Sequence, residues 1–190
     1  MDDEQVRLEP WTPDDLRVLE RQNSAGMMEY LGGPETDEKV RARHEKFLRE
    51  QGSVTWPFTI RVAAHPDPVG SVVYWHTRHH DEDAYEMGWA TIADYQGHGY
   101  GTRGIRLALE HAALHTAGHT GEHAAGHAAG HTAEHGDRRF VWAFPRTDNL
   151  ASNAIARTAG FENTGEEDFE YPKGVPITVN AWAFDLDTLR

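Results

Sequence analysis

A glycine-rich loop between a strand pattern and a helix pattern constrains the fold most. Residues 84–92, AYEMGWATI, are rich in aromatic and β-branched side chains and predict a strand. The loop QGHGYGT, residues 96–102, follows this strand, and apolar residues then recur with helical spacing over 105–109. A chain that passes from a strand through such a loop into a helix is typical of a domain in which helices pack on a sheet.

The rest of the chain extends this pattern in both directions. Segments 6–11, 55–64, 69–77, 140–145 and 178–186 predict further strands, and segments 12–23, 36–51 and 149–161 predict helices. The turn HPDP, residues 65–68, makes a hairpin of the second and third strands. The order βα, α, βββ, α, β, α, ββ predicts a mixed α/β fold with a mixed sheet and helices on both faces.

Composition limits the class of protein and of partner. A chain of 190 residues suits one domain, residues 1–190. Its 31 acidic and 18 basic residues give a net charge of −13, which argues against nucleic acid and anionic membranes as partners and mildly favours amines. The absence of cysteine excludes disulfides, thiolate metal sites and a cysteine nucleophile. We see no signal peptide and no apolar run long enough to span a membrane, so we expect a cytoplasmic protein.

The loop itself suggests an anion site. Glycines at 97, 99 and 101 let the backbone approach a ligand, and the amides of the loop and of the first helical turn suit a pyrophosphate. The spacing matches neither a Walker A loop nor a dinucleotide-binding fingerprint. Taken alone, the loop is equally consistent with a tight turn.

The wider context resembles the GNAT superfamily of acyl-CoA-dependent N-acyltransferases. A Gln-x-x-Gly-x-Gly loop after a strand is followed by a helix, a strand and an Asn-x-x-Ser helix that ends in Gly-Phe. The residues that carry this resemblance are Gln96, Gly99, Gly101, Asn149, Ser152, Gly160 and Phe161. The segment YEMGWATIADYQGHGYG is similar to the RimJ/RimL-like branch, in which an acidic residue precedes a Gly-aromatic pair. The resemblance covers residues 5–187.

The resemblance implies that acetyl-CoA is the co-substrate and lies where the sheet splays between the fourth and fifth strands. It implies main-chain contacts to the pantetheine arm from Trp89, Ala90 and Thr91. It implies cofactor binding in the loop by Gln96, Gly97, His98, Gly99, Tyr100, Gly101 and Thr102. Asn149 and Ser152 would lie beside the pantetheine and the thioester sulfur. The side chain of His98 is interpreted as part of the loop and not as a ligand.

Two residues are candidates for catalysis. Glu86 matches the acidic position of the branch and would act as the general base through a water; the alternative is a strand carboxylate that faces solvent or pairs with an arginine. Ser152 would be the acid or a hydrogen-bond donor near the sulfur; the alternative is a small residue packed in a helix. Ala156 stands where the family often has a proton-donating tyrosine. The thiolate is therefore expected to leave unprotonated or through water.

The resemblance implies a primary amine as acceptor, either a small molecule or a protein N-terminus. Met27, Met28, Glu29 and Tyr30 form one candidate group of acceptor contacts, and residues 74–83 form another. Among these, His76, His79 or His80 would assist deprotonation of the acceptor amine. The alternative is that they are ordinary polar residues of an exposed loop. A homodimer is plausible.

A histidine stands at every fourth position over residues 111–135, at His111, His115, His119, His123, His127, His131 and His135. Such pairs can chelate transition metals. A four-residue step overshoots a helical turn by about 40°, however, so the side chains would spiral around a helix. The repeated AAGH-like units indicate a low-complexity insertion, partly helical and exposed to solvent, and we assign no metal site. Two alternatives stay open: a metal-binding protein that uses this tract on a GNAT scaffold, and a catalytically inert sensor of acyl-CoA.

Overall fold

The computed structural model describes residues 5–120 and 138–190, with the side chains of 117–120 left out. Seven strands form one sheet: β1 (Val6–Pro10), β2 (Thr55–Val62), β3 (Gly70–His79), β4 (Glu82–Thr91), β5 (Phe140–Ala143), β6 (Glu162–Glu170) and β7 (Pro176–Asp185). The α-helices are α1 (Leu16–Gln22), α2 (Asp37–Glu50), α3 (Tyr100–Thr120) and α4 (Leu150–Ala159). Short 3₁₀ turns cover Pro13–Asp15, Glu29–Leu31, Ala93–Tyr95 and Leu186–Leu189. None of the helices in the described ranges is long and apolar enough to cross a bilayer.

The sheet is mixed and runs in the order β1-β2-β3-β4-β5-β7-β6. Neighbouring strands are antiparallel except β4 and β5. The parallel register of β4 and β5 comprises two residue pairs, Tyr85 with Val141 and Glu86 with Trp142. Strand β4 then continues to Thr91 while β5 ends at Ala143, so the two strands part. The predicted mixed sheet with a splay between the fourth and fifth strands is confirmed.

Helices cover both faces of the sheet, as predicted. On one face, Ile105 and Leu109 of α3 join the main apolar core with Ile60 and Val72 of the sheet. On the other face, Val18 and Leu19 of α1 and Val40 of α2 pack in a second cluster with Trp11 and Ile92. Each helix therefore turns its apolar stripe inward, which is the pattern that the sequence displays.

The helix ends follow local chemistry. The Thr36 hydroxyl accepts from the amide of Lys39 at the start of α2, and the Asn149 side chain accepts from the amide of Ser152 at the start of α4. Gly160 ends α4 in the left-handed region, with φ 108°. These residue types are the ones that helix ends favour.

The first two histidines of the tract, His111 and His115, are less exposed than the sequence predicts. His111 Nδ1 lies 2.7 Å from the hydroxyl of Tyr74, and its ring centroid is 4.9 Å from that of Phe58. The His115 ring is 4.7 Å from Trp56. The expectation of solvent exposure is wrong for these two histidines, because this part of α3 still packs on the aromatic residues of β2 and β3. The predictions for the histidines from 119 to 135 fall outside the side chains that the structure describes.

Candidate active site

The glycine loop lies at the end of β4, where β4 and β5 have parted. Gly97 and Gly99 have φ values of 81° and 74°, in the left-handed region that favours glycine. No atom lies within 4 Å of the position that a Cβ would take at either residue. The loop is therefore open on this side, and its backbone is accessible to a ligand.

The loop is tied closely to the end of β4. A Cβ at Gly101 would lie 2.6 Å from the hydroxyl oxygen of Thr91, so a larger residue would force the Thr91 side chain or the helix to shift. The side-chain amide of Gln96 donates to the carbonyl of Thr91 at 3.0 Å. These contacts fix the first turn of α3 against the strand.

The first turn of α3 presents amides to the loop. The amide of Arg103 donates to the carbonyl of Gly99 at 3.1 Å, which is the first turn of helical bonding. The amides of residues 100–102 precede it and have no intrahelical acceptor. The positive end of the helix dipole adds to their field, so this turn can hold an anion such as a phosphate.

His98 and Arg103 shape the loop. The Arg103 guanidinium donates to the carbonyl of His98 at 2.9 Å, and His98 Nδ1 lies 2.9 Å from the carbonyl of Gln96. The ring of His98 stacks on Tyr100, with centroids 5.4 Å apart. These contacts agree with the interpretation of His98 as a residue of the loop.

The three β4 residues expected near a pantetheine arm differ in their contacts. The Trp89 ring is 6.3 Å from that of Phe161, which follows α4. The carbonyl of Ala90 accepts from Gln22, and that of Thr91 accepts from Gln96, each at 3.0 Å. These bonds tie the end of β4 to α1 and to the glycine loop.

The first turn of α4 contains Asn149 and Ser152. The side-chain oxygen of Asn149 accepts from the amide of Ser152 at 3.0 Å, and Ser152 is half-buried. Ala156 is fully buried one turn further on, so α4 presents no phenol at that position. A catalytic part for Ser152 stays a prediction.

Glu86 lies at the last paired position before the splay. It pairs with Trp75 on β3 and with Trp142 on β5, and it is half-buried. Burial raises the pKa of its carboxyl from 4.5 to about 7, against the opposing effect of the Trp75 side chain. A carboxyl with this pKa is suited to accept a proton near neutral pH.

The candidate histidines for acceptor deprotonation do not gather around Glu86. His76 packs between Trp56 and Tyr85, at centroid distances of 5.1 and 5.6 Å, and alternation along β3 places it on the sheet face opposite Trp75. His79 and His80 lie instead beside Glu167 of β6. The suggested help from His76 is therefore wrong, because its side chain belongs to the α3 face.

The other candidate group for the acceptor, residues 27–30, approaches the segment that follows β5. Met28 is buried, while Glu29 and Tyr30 belong to a 3₁₀ turn, and Met27 is half-exposed. The guanidinium of Arg146 lies 5.8 Å from the ring centre of Tyr30. Arg146 also borders a surface groove of about 410 Å³ that reaches the β6–β7 hairpin. The lining of this groove contains neither Glu86 nor the glycine loop, so the groove lies beside the reacting centre and not in it.

Sequence reasoning did not find Glu167 or the limits of β6. The segment ENTGEEDFE is strongly polar and lacks the apolar alternation that marks a half-buried strand. Its strand conformation depends on pairing with β7.

A mixed sheet that splays at one parallel pair, with a glycine loop and a helix N-terminus at the splay, defines a class of phosphate-binding α/β folds. The family model described as an acetyltransferase (GNAT) domain matches residues 5–162. The chain belongs to the GNAT acetyltransferase family. The predicted enzyme class is therefore confirmed.

Solved structures share this fold at low identity. An acetyltransferase from Salmonella typhimurium that modifies the N-terminal serine of a ribosomal protein is 21% identical, with coverage of 95% of this chain and 94% of that chain and a TM-score of 0.67. The aminoglycoside acetyltransferase AAC(6')-Ib in complex with coenzyme A is 18% identical, with 95% coverage of both chains and a TM-score of 0.67. Spermidine N-acetyltransferase from Vibrio cholerae, in complex with coenzyme A and spermine, is 15% identical, with 96% coverage of both and a TM-score of 0.70. RimL enzymes are also among the similar structures. No curated protein sequence matches the chain significantly.

Proposed function

We propose that this chain transfers the acetyl group of acetyl-CoA to a primary amine by direct attack within a ternary complex. The observation that carries this proposal is the raised pKa of Glu86 at the point where β4 and β5 part. The glycine loop and the first turn of α3 would hold the pyrophosphate of the co-substrate, and the similar structures with bound coenzyme A support this assignment. Acetyl-CoA supplies the activated acetyl thioester.

The amine must lose a proton before it can attack a carbonyl carbon. Glu86 would accept this proton through a water, since a base with a pKa of about 7 is largely ionised at pH 7.5 and still able to hold a proton. Main-chain amides at the end of β4 would stabilise the developing oxyanion. With Ala156 in place of a phenol, α4 offers Ser152 as the hydrogen-bond donor near the departing sulfur.

The acceptor is a small amine or a protein N-terminus. The net charge of −13 favours a cationic acceptor over an anionic one. The similar structures include acetyltransferases for a protein N-terminus, an aminoglycoside and a polyamine, which sets the panel of acceptors to screen.

Release of the CoA thiol, followed with a thiol reagent across such a panel, tests the function. With the best acceptor, Glu86→Gln is expected to lower kcat by about 10²–10⁴-fold, because the glutamine amide cannot accept the proton. The wild-type kcat/KM should fall below a pH near 7, and this limb should vanish in the variant.

Glu82→Gln is the matched control, since Glu82 is an exposed glutamate four residues earlier on the same strand. Intersecting initial-velocity lines are expected for a ternary complex. Parallel lines, or equal rates for the Glu86 and Glu82 variants, would contradict the mechanism. Binding of acetyl-CoA without turnover of any amine would favour the inert sensor.

A further inference from the structure

A second group of ionisable side chains lies where the β3–β4 turn meets β6. His79 Nε2 is 3.2 Å from Glu167 Oε1, and His80 Nε2 is 3.7 Å from the same oxygen. The three potential ligand atoms all lie within 4.8 Å of one another. Two imidazoles and a carboxylate thus converge on one point outside the candidate active site.

The backbone of the turn brings both histidines to this point. Consecutive residues of a strand point to opposite faces, so His79 and His80 would diverge if β3 continued. His80 and Asp81 instead have φ values of 50° and 63°, the left-handed pair that a two-residue hairpin turn requires. Asn and Gly adopt this conformation most readily, so the turn by itself does not explain a histidine at position 80.

His79 is buried with an unsatisfied nitrogen. Its side chain is only 13% exposed and lies against Trp142 and Phe144, with ring centroids 4.1 and 5.1 Å away. Among the described residues its Nε2 makes no regular hydrogen bond, although Glu167 Oε1 lies 3.2 Å away. A cation would satisfy this nitrogen.

The surroundings favour a positive ion. The turn contains Asp81, Glu82 and Asp83. Of the nearby cations, Arg78 and Arg138 lie 3.4 and 3.8 Å from the carboxylate of Asp83. The Glu167 carboxylate faces the two histidines.

We propose that His79, His80 and Glu167 form a binding site for a divalent transition-metal ion of the Zn²⁺ type. Imidazole nitrogen and carboxylate oxygen are the ligands that such ions take, and ligands of a tetrahedral zinc lie about 3.4 Å apart. The separations of 3.2 and 3.7 Å between the two histidine nitrogens and the Glu167 oxygen bracket this value, and the two histidine nitrogens lie within 4.8 Å of each other. The His80 side chain is 71% exposed, which leaves a fourth position to water. The ion would fasten the β3–β4 turn to the edge strand β6.

The test must remove the competing histidines of the tract. In the background protein, the five histidines at 119, 123, 127, 131 and 135 are replaced by asparagine, while His111 and His115 are kept because they contact Tyr74 and Trp56 of the sheet. Zn²⁺ is titrated calorimetrically into this protein, and Co²⁺ absorption reports the coordination. Glu167→Gln and His80→Asn each remove one ligand, and asparagine tolerates the left-handed backbone at position 80.

Glu166→Gln is the matched control, because it removes the same charge from the exposed neighbouring position on β6. We expect one Zn²⁺ per chain and a rise in Tm in the background and control proteins. Each ligand variant should bind Zn²⁺ at least about tenfold more weakly, since even the loss of a residue that only hydrogen-bonds to a metal ligand lowers metal affinity by about tenfold or more. Absence of stoichiometric binding in the background, or equal affinities for the Glu167 and Glu166 variants, would overturn the site. None of these readouts depends on acetyl transfer.

Discussion

At the scale of single residues, environment decides what a side chain does in this protein. Glu86 lies between Trp75 and Trp142 at the end of a short parallel pairing, and burial there raises its pKa to about 7. His111 contacts the buried hydroxyl of Tyr74, and burial lowers its pKa. Neither property follows from the residue type, because both depend on what packs against it.

The raised pKa of Glu86 predicts a dependence of stability on pH. The folded protein holds this proton more tightly than the unfolded chain, so the group stabilises the fold at low pH and the contribution is lost as pH rises from 4.5 to 7. A rise of this size corresponds to about 2.5 kcal/mol between pH 5 and pH 8. Between pH 5 and pH 8 the wild type should therefore lose about this much free energy of unfolding that Glu86→Gln does not lose.

Urea unfolding of the two proteins at both pH values measures this difference. Taking the difference cancels the titration of histidines such as His111, which both proteins share. A constant difference across the pH range would show that the carboxyl titrates near its ordinary pKa.

At the scale of elements, the contact between β4 and α3 forms the candidate anion site. The helix begins directly after the loop, and Gly101 lies against the Thr91 hydroxyl without space for a methyl group. The sequence indicates both the strand and the loop, whereas the close approach of Gly101 to Thr91 is seen only in the fold.

Gly101→Ala should weaken acetyl-CoA binding by at least about tenfold. The added methyl group would push the first turn of α3 away from β4, and the backbone amides of this turn would then no longer align with the pyrophosphate. Calorimetric titration of acetyl-CoA measures the effect. Gly26→Ala is the control, since no atom lies within 4 Å of the Cβ position there. Adding Thr91→Ala, which removes the clashing hydroxyl, should restore part of the affinity; no recovery would mean that the clash is not the cause.

At the scale of the whole molecule, the order β5-β7-β6 and the splay beside β4 bring distant segments together. Glu167 reaches the β3–β4 turn although 87 residues separate it from His80 along the chain. The net charge of −13 acts at long range and would attract a cationic acceptor whichever residues contact it.

The histidine tract should be dispensable for the proposed acetyl transfer. Replacing the five histidines from 119 to 135 by asparagine is expected to leave acetyl-CoA affinity and kcat unchanged, because the glycine loop lies at the opposite end of α3. Replacing His111 and His115 by alanine should instead lower Tm, since both pack on β2 and β3. Loss of turnover in the five-residue variant would assign a function to the tract.

The sequence by itself determined the element order, the caps at Thr36, Asn149 and Gly160, and the glycine loop, because these rest on local periodicity and on backbone preferences. It also allowed Glu86 to be selected as the candidate base through the family pattern. Only the tertiary structure decided the pKa of Glu86 and the contacts of His111 and His115 with the sheet. It also decided that His76 lies on the sheet face opposite Glu86 and that the polar segment β6 forms a strand. These features depend on contacts between residues far apart in the chain, and burial and strand pairing exist only once those contacts form.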